Sequence, residues 1–332
     1  MKFSNSRRRL VVGAGAAAFA GGVRAQSGQI HYRLGLSQPL DSPNYIRLKE
    51  MADRVRNDTN GRMQIEVLGA GALGSDNQML AMVQKGELEL YMAGNVWGPL
   101  VPVTEMPGLP FTFKNSSDVF AAMDAELGDY IRAQMAAKGI YQFRMGFDNG
   151  FHQLTNNTRP IRTVEDLNGM LIRTPFQKMT VDFFESIGAK PKTFTLNQLY
   201  QVLKDHTVDG QTDPYQIIVL LKLYEVQTYL NITNHWWSGF TLNANLEKWK
   251  ALPADIQAVI TKHADAAALA QREDVAKIEA GALDLLKAKG MIVTETDTSG
   301  FRRHLGAFYA RWKGIYGEKA WALLEARTGK LV

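Results

Sequence analysis

The chain has 332 residues, more than one hydrophobic core usually supports, so one large or two medium domains are expected. Its 45% hydrophobic and 21% charged residues are ordinary for a globular protein, and the formal charge of +5 is no nucleic-acid signal, because Lys2, Arg7, Arg8, Arg9 and Arg24 account for it within the first 26 residues. The absence of cysteine excludes a disulfide framework, thiol catalysis and cysteine-based zinc sites.

Residues 1–26 read as an export signal of the twin-arginine (Tat) kind. Arg7-Arg8-Arg9 precede an Ala/Gly-rich apolar run at 11–22, and Val23-Arg24-Ala25 offers a small-residue cleavage site. Paired arginines also occur in general secretory signals, so the route stays open. The run is too short and too rich in glycine to span a bilayer comfortably, and no later stretch approaches about 18 uninterrupted apolar residues. A soluble, exported protein without membrane insertion is expected.

In chain order, residues 30–36 alternate apolar and polar side chains as a first strand. The proline-punctuated loop 37–43 then places Ser42 to cap a helix from about Asn44 that Asn60-Gly61 ends. A second strand at 63–68 leads into a glycine-rich turn at 69–74. With neither Gly-x-Gly-x-x-Gly nor Gly-Lys-Ser/Thr spacing, this turn reads as entry to a helix at 77–85, beside Asp76, rather than as a nucleotide site. A third strand at 88–93 ends in a loop carrying Trp97. This rhythm is that of a mostly parallel sheet, in which ligands sit beyond the carboxyl ends of the strands.

Residues 118–138 are expected to form one helix stopped by Gly139, and 141–147 a further strand leading to Asp148 and His152. Residues 170–173 form a short strand entered through a glycine turn and stopped by Pro175, which leaves the Arg173 guanidinium at its end. Its planar fork matches a carboxylate in two parallel hydrogen bonds; the competing reading is an arginine paired with a neighbouring acid. Helices follow at 177–187 and 197–204, then a turn at Asp209-Gly210 and an apolar helical run at 215–226. A strand at 229–233 precedes the aromatic cluster His235, Trp236, Trp237 and Phe240. Residues 253–289 form a single helical pattern of about 50 Å, and a strand at 291–294 with helices over 301–327 completes the chain.

Three pieces stand in a telling order: Leu167-Asn168-Gly169-Met170-Leu171-Ile172-Arg173-Thr174-Pro175, then Gln198-Leu199-Tyr200, then Val208-Asp209-Gly210-Gln211-Thr212-Asp213-Pro214. Together they resemble the signature of the DctP family, the periplasmic solute-binding proteins of TRAP transporters. Gly71-Ala72-Leu73-Gly74-Ser75-Asp76 and Leu109-Pro110-Phe111 also resemble family positions, so the resemblance runs from about residue 30 to the C-terminus. It implies an α/β, two-lobed periplasmic binding protein fold (type II-like) with discontinuous lobes, a hinge and a long bracing helix. Lobe I would comprise 27–149 with 238–278, and lobe II 150–237 with 279–332. The resemblance further implies a periplasmic protein that fixes an organic acid through Arg173, closes on it, and delivers it to TRAP permease membrane subunits, with no cofactor. A monomer is expected.

Two departures from the family pattern shape the expected ligand. His152 stands where the family often has a second arginine, which points to one carboxylate rather than two. Thr212-Asp213 stands where Glu-Asn is usual, and an ionised Asp only accepts hydrogen bonds. Asp213 can then accept a ligand hydroxyl, pair with a protein cation, or hold a bridging metal ion. The candidate ligand contacts are Arg173, His152, Asp213, Thr212, Asn197, Trp97, Trp236, Ser42 and Asp76, and the expected ligand is a hydroxy-, oxo- or aromatic monocarboxylate, with a C4-dicarboxylate as the alternative. There is no Gly-x-Ser-x-Gly and no His-Glu-x-x-His, and the six histidines are scattered, so a binder is expected rather than a periplasmic hydrolase or isomerase using the same cleft.

Overall fold

The computed structural model describes residues 28–94 and 96–331; the export signal read at 1–26 lies outside them. Strand β1 (Ile30–Gly35) runs parallel to β2 (Met63–Leu68), joined by helix α1 (Pro43–Asp58). Pro43 sits in the first helical turn, where no partner for its missing N–H is needed, and Leu48, Met51, Ala52 and Val55 bury one face. Helix α2 (Asp76–Lys85) opens on a capping box between Ser75 and Gln78 and ends at Gly86, whose φ of 73° is the left-handed conformation that glycine adopts freely. Strand β3 (Leu90–Ala93) returns to the other side of β1.

The single helix expected over 118–138 is two, α3 (Ser116–Met123) and α4 (Glu126–Ala136). The backbone turns out at Ala125, and Gly128 allows α4 to press against the Met123 carbonyl, which a Cβ there would meet at 1.7 Å. Next come β4 (Ile140–Gln142), β5 (Phe147–Asn156), β6 (Leu171–Thr174), α5 (Lys178–Ser186), β7 (Lys190–Thr193), α6 (Leu199–Lys204), β8 (Gly210–Pro214), α7 (Tyr215–Leu220) and β9 (Tyr229–Ile232). The chain ends with β10 (Trp237–Asn245), α8 (Leu246–Lys250), α9 (Ala254–Ala288), β11 (Ile292–Glu295), α10 (Ser299–Arg303), α11 (Gly306–Tyr316) and α12 (Glu318–Thr328).

The strand order is β2-β1-β3-β10-β5-β8-β6-β7, with β4 beside β10, and β9 between β5 and β11. Two parallel groups, β2-β1-β3 and β8-β6-β7, are therefore joined through the long strands β5 and β10, which pair antiparallel from Phe147 opposite Phe240 to Phe151 opposite Trp237. This is the two-lobed α/β architecture with crossing connections that the sequence leads one to expect. Helix α9 buries Ile256, Ile260, Ala264, Ala267 and Ala268 in the core of the first group, and Leu286 in a core with Leu199, Leu203 and Leu230 of the second, so one rod braces both. The terminal helices α11 and α12 share a core with Val119, Leu127 and Ile131 of α3 and α4 and with Phe183 and Phe184 of α5, tying early and middle parts of the chain together.

Candidate functional site

Between the two strand groups lies a cavity of about 530 Å³. Its walls come from the loops after β1, β2 and β3 on one side, from the segments after β6 and β7 and the end of β8 on the other, and from β5 and β10 at the back. It thus lies beyond the carboxyl ends of both parallel groups, where their loops and inward-facing side chains converge.

Arg173 occupies the third position of β6, flanked by β7 and β8, and is 3% exposed. Its Nε and one terminal nitrogen donate to the Phe194 carbonyl at 3.1 and 2.8 Å, and the other terminal nitrogen donates to Asp213 Oδ2 at 3.2 Å. Each terminal nitrogen keeps one N–H with no partner among the described residues, the pair that the two oxygens of a carboxylate can meet. Asp213, at the end of β8, pairs with a protein cation, one of the three options open to it, and that cation is Arg173 itself. Burial pushes its carboxyl up to about 7 although Arg173 pulls the other way.

Asp76, on the opposite wall, accepts from the Tyr91 hydroxyl at 2.9 Å, and burial again raises its carboxyl above the ordinary range. His152 lines the back wall with both ring nitrogens engaged, Nδ1 at 2.9 Å from Thr212 Oγ1 and Nε2 at 2.8 Å from Ser238 Oγ. Desolvation, the nearby His235 and Arg173 hold it well below the usual imidazole range, so it is neutral. Trp236 packs against it with ring centroids 5.1 Å apart, and Asn197 lies exposed at the rim, accepting from the Thr195 hydroxyl.

Six of the nine candidates therefore line one cavity: Arg173, His152, Asp213, Asn197, Trp236 and Asp76. Three lie off its wall. The Ser42 hydroxyl is spent on the cap of α1, donating to Pro39 O at 2.7 Å and accepting from Tyr45 N at 3.2 Å. Trp97 is 2% exposed and packs into the core against Tyr91, centroids 5.9 Å apart. Thr212 sits behind His152, bonded to His152 and to His235.

The sequence reading missed Gln38, Asn149, Gln177 and Ser238, which also line the cavity. Gln38 Oε1 and Gln177 Nε2 are buried without a protein partner, an acceptor and a donor left for something else to satisfy. Both follow strand ends closely, a signal present in the sequence; Asn149 and Ser238 meet only through the pairing of β5 with β10. Among the described residues no group of three or more His, Asp or Glu is placed to hold a metal ion, Asp213 included.

A model of the bacterial extracellular solute-binding proteins, family 7 (DctP), matches residues 34–314. The chain belongs to this family. Among its relatives is the 2,3-diketo-L-gulonate-binding periplasmic protein YiaO of Escherichia coli, 28% identical over 296 residues that cover 88% of this chain and 89% of YiaO. The C4-dicarboxylate-binding protein DctB of Bacillus subtilis is 26% identical over 235 residues, covering 70% of this chain and 67% of DctB. Among solved structures, a TRAP periplasmic solute-binding protein from Polaromonas bound to D-erythronate superposes with a TM-score of 0.85, 29% identity, and coverage of 91% of this chain and 99% of that one. In this family 7 solute-binding protein, the cavity between the two strand groups is lined by the buried polar residues Gln38, Asn149, His152, Arg173, Asp213 and Ser238. No helix among the described residues is long and apolar enough to cross a membrane.

Proposed function

We propose that this family 7 protein captures a hydroxylated monocarboxylate in the interlobe cavity and hands it to the membrane subunits of a TRAP permease. One observation carries the reading: among the described lining residues the ionisable groups are Arg173, His152, Asp213 and Asp76. The cavity thus offers a single cation, a neutral imidazole and two acids. One carboxylate can meet the two unpartnered N–H groups of Arg173. A second would face the acceptors Gln38 Oε1 and Asp76, which suit hydroxyl donors and repel an anion. A volume of about 530 Å³ accommodates a ligand of sugar-acid size.

Two relatives support this ligand class, since 2,3-diketo-L-gulonate and D-erythronate each combine one carboxylate with hydroxyls. DctB favours a second reading, a C4-dicarboxylate. Lobe I is proposed as 27–149 with 238–278 and lobe II as 150–237 with 279–332, with β5 and β10 between them as the hinge. Closure over the ligand draws its energy from contacts that exist only in the closed form. Binding without turnover by a monomer, and export to the periplasm by the twin-arginine route, belong to the same proposal.

A thermal-shift screen of the mature protein against aldonates, uronates and dicarboxylates, with and without chelator, tests it. Ligand at 100 times its dissociation constant adds about 2.7 kcal/mol. The expected response is to hydroxylated monocarboxylates and is insensitive to chelator; a response to dicarboxylates alone would replace this reading with the second.

A further inference from the structure

We infer that the hydrogen-bonded chain Ser238–His152–Thr212–His235–Thr233 holds the single ring proton of His152 on Nδ1, and thereby makes the Ser238 corner of the cavity an acceptor for a ligand hydroxyl; the second half of this inference rests on the hydroxy-acid reading of the site.

The chain is continuous and buried. Ser238 Oγ lies 2.8 Å from His152 Nε2, His152 Nδ1 lies 2.9 Å from Thr212 Oγ1, Thr212 Oγ1 lies 3.0 Å from His235 Nε2, and His235 Nδ1 lies 2.7 Å from Thr233 Oγ1. All five side chains are at most 8% exposed. Burial keeps both imidazoles uncharged, His235 down to about 3. A neutral imidazole carries one N–H and one lone pair, and a hydroxyl has one hydrogen, so the links run in a common direction.

Two directions exist, and the ends decide between them. In the first, the Ser238 hydroxyl donates to His152 Nε2, His152 Nδ1–H to Thr212, the Thr212 hydroxyl to His235 Nε2, and His235 Nδ1–H to Thr233. Thr233 can then direct its own hydrogen to the His152 carbonyl at 3.5 Å. The reverse direction spends that hydrogen on His235 Nδ1 and leaves the His152 carbonyl without it. A carbonyl cannot donate, so only the first direction satisfies it.

The consequence appears at the cavity wall. Ser238 spends its hydrogen on His152 and accepts from Asn149 Nδ2 at 2.8 Å, so what it offers a ligand is a lone pair. Reversal would free that hydrogen and suit a carboxylate or oxo group instead. Thr212, His235 and Thr233 do not line the cavity; they are positioning residues acting through His152.

The test is a long-range 1H–15N spectrum of the ligand-free mature protein labelled with 15N-histidine at pH 7, with His152 assigned by the signals lost in His152→Gln. The expected pattern is protonated Nδ1 and a far-downfield, unprotonated Nε2. Thr212→Val removes both central links and should give His152 a mixture of tautomers, whereas Thr212→Ser keeps the hydroxyl and should restore the wild-type pattern. With D-erythronate as probe, Thr212→Val should weaken binding about tenfold, the worth of one hydrogen bond, and Thr212→Ser should not. A wild-type His152 protonated on Nε2, or a tautomer unmoved by Thr212→Val, overturns the relay. The expected tautomer in a protein that ignores D-erythronate supports the relay and counts against the ligand reading alone.

Discussion

In the proposed site the carboxylate grip rests on one guanidinium, Arg173. Arg173→Ala removes two charge-assisted hydrogen bonds of about 1.5–3 kcal/mol each, so affinity should fall by roughly two to four orders of magnitude in a calorimetric titration. Asp213 adds a pH dependence. Its carboxyl titrates at about 7 in the free protein, and an anion arriving on Arg173 favours its neutral form, so binding takes up a proton. Affinity should therefore be flat below about pH 7 and weaken above it, by up to about tenfold per pH unit, and Asp213→Asn should abolish the slope. For folding, a carboxyl raised from about 4 to about 7 contributes stability that is fully present at low pH and lost as pH rises through 7. Arg173, Asp76 and Asp213 were legible in the sequence because strand ends and the loops after them line such crevices. Thr212 was not separable from Asp213, since neighbours on a strand face opposite ways and the sequence does not say which way is in. Nor did it show that the acid paired with Arg173 is Asp213, 40 residues away.

At the scale of elements, the short strand that carries Asp213, β8, depends on a close approach. A Cβ on Gly210 would stand 2.2 Å from Thr155 O and 2.7 Å from Asn156 Cβ, both on β5, with no side-chain freedom to relieve the backbone contact. Gly210→Ala should cost about 3 kcal/mol or more in urea unfolding, a large effect with a named steric cause. Gly281, inside α9 with nothing within 4 Å of its Cβ position, is the control: Gly281→Ala should stabilise by roughly 0.5–1 kcal/mol. Equal effects at the two positions would contradict this account of the β5–β8 contact. Helix α9 was plain in the sequence because its apolar spacing is uninterrupted. The break between α3 and α4 was not, because local propensity runs on through Asp124 and Ala125, and only the packing of α4 on Met123 turns the chain.

Across the whole molecule, the strand order places the cavity between two parallel groups, and its centre is assembled from distant sequence. Asn149 meets Ser238 across 89 positions, and His152 meets the same Ser238 across 86, contacts that no local pattern encodes. The family signature reaches past that limit for the fold, but what this chain's departures from it, His152 and Asp213, contribute to the proposed site has to be read from geometry. A calorimetric titration of the mature protein with D-erythronate, D-galactonate and succinate, repeated with Arg173→Ala, asks whether one arginine holds a hydroxylated monocarboxylate. The account predicts one saturable site that prefers a hydroxylated monocarboxylate to succinate and loses at least about a hundredfold in affinity without Arg173. Succinate bound more tightly than either sugar acid, or an Arg173→Ala protein within a few-fold of wild type, would contradict it.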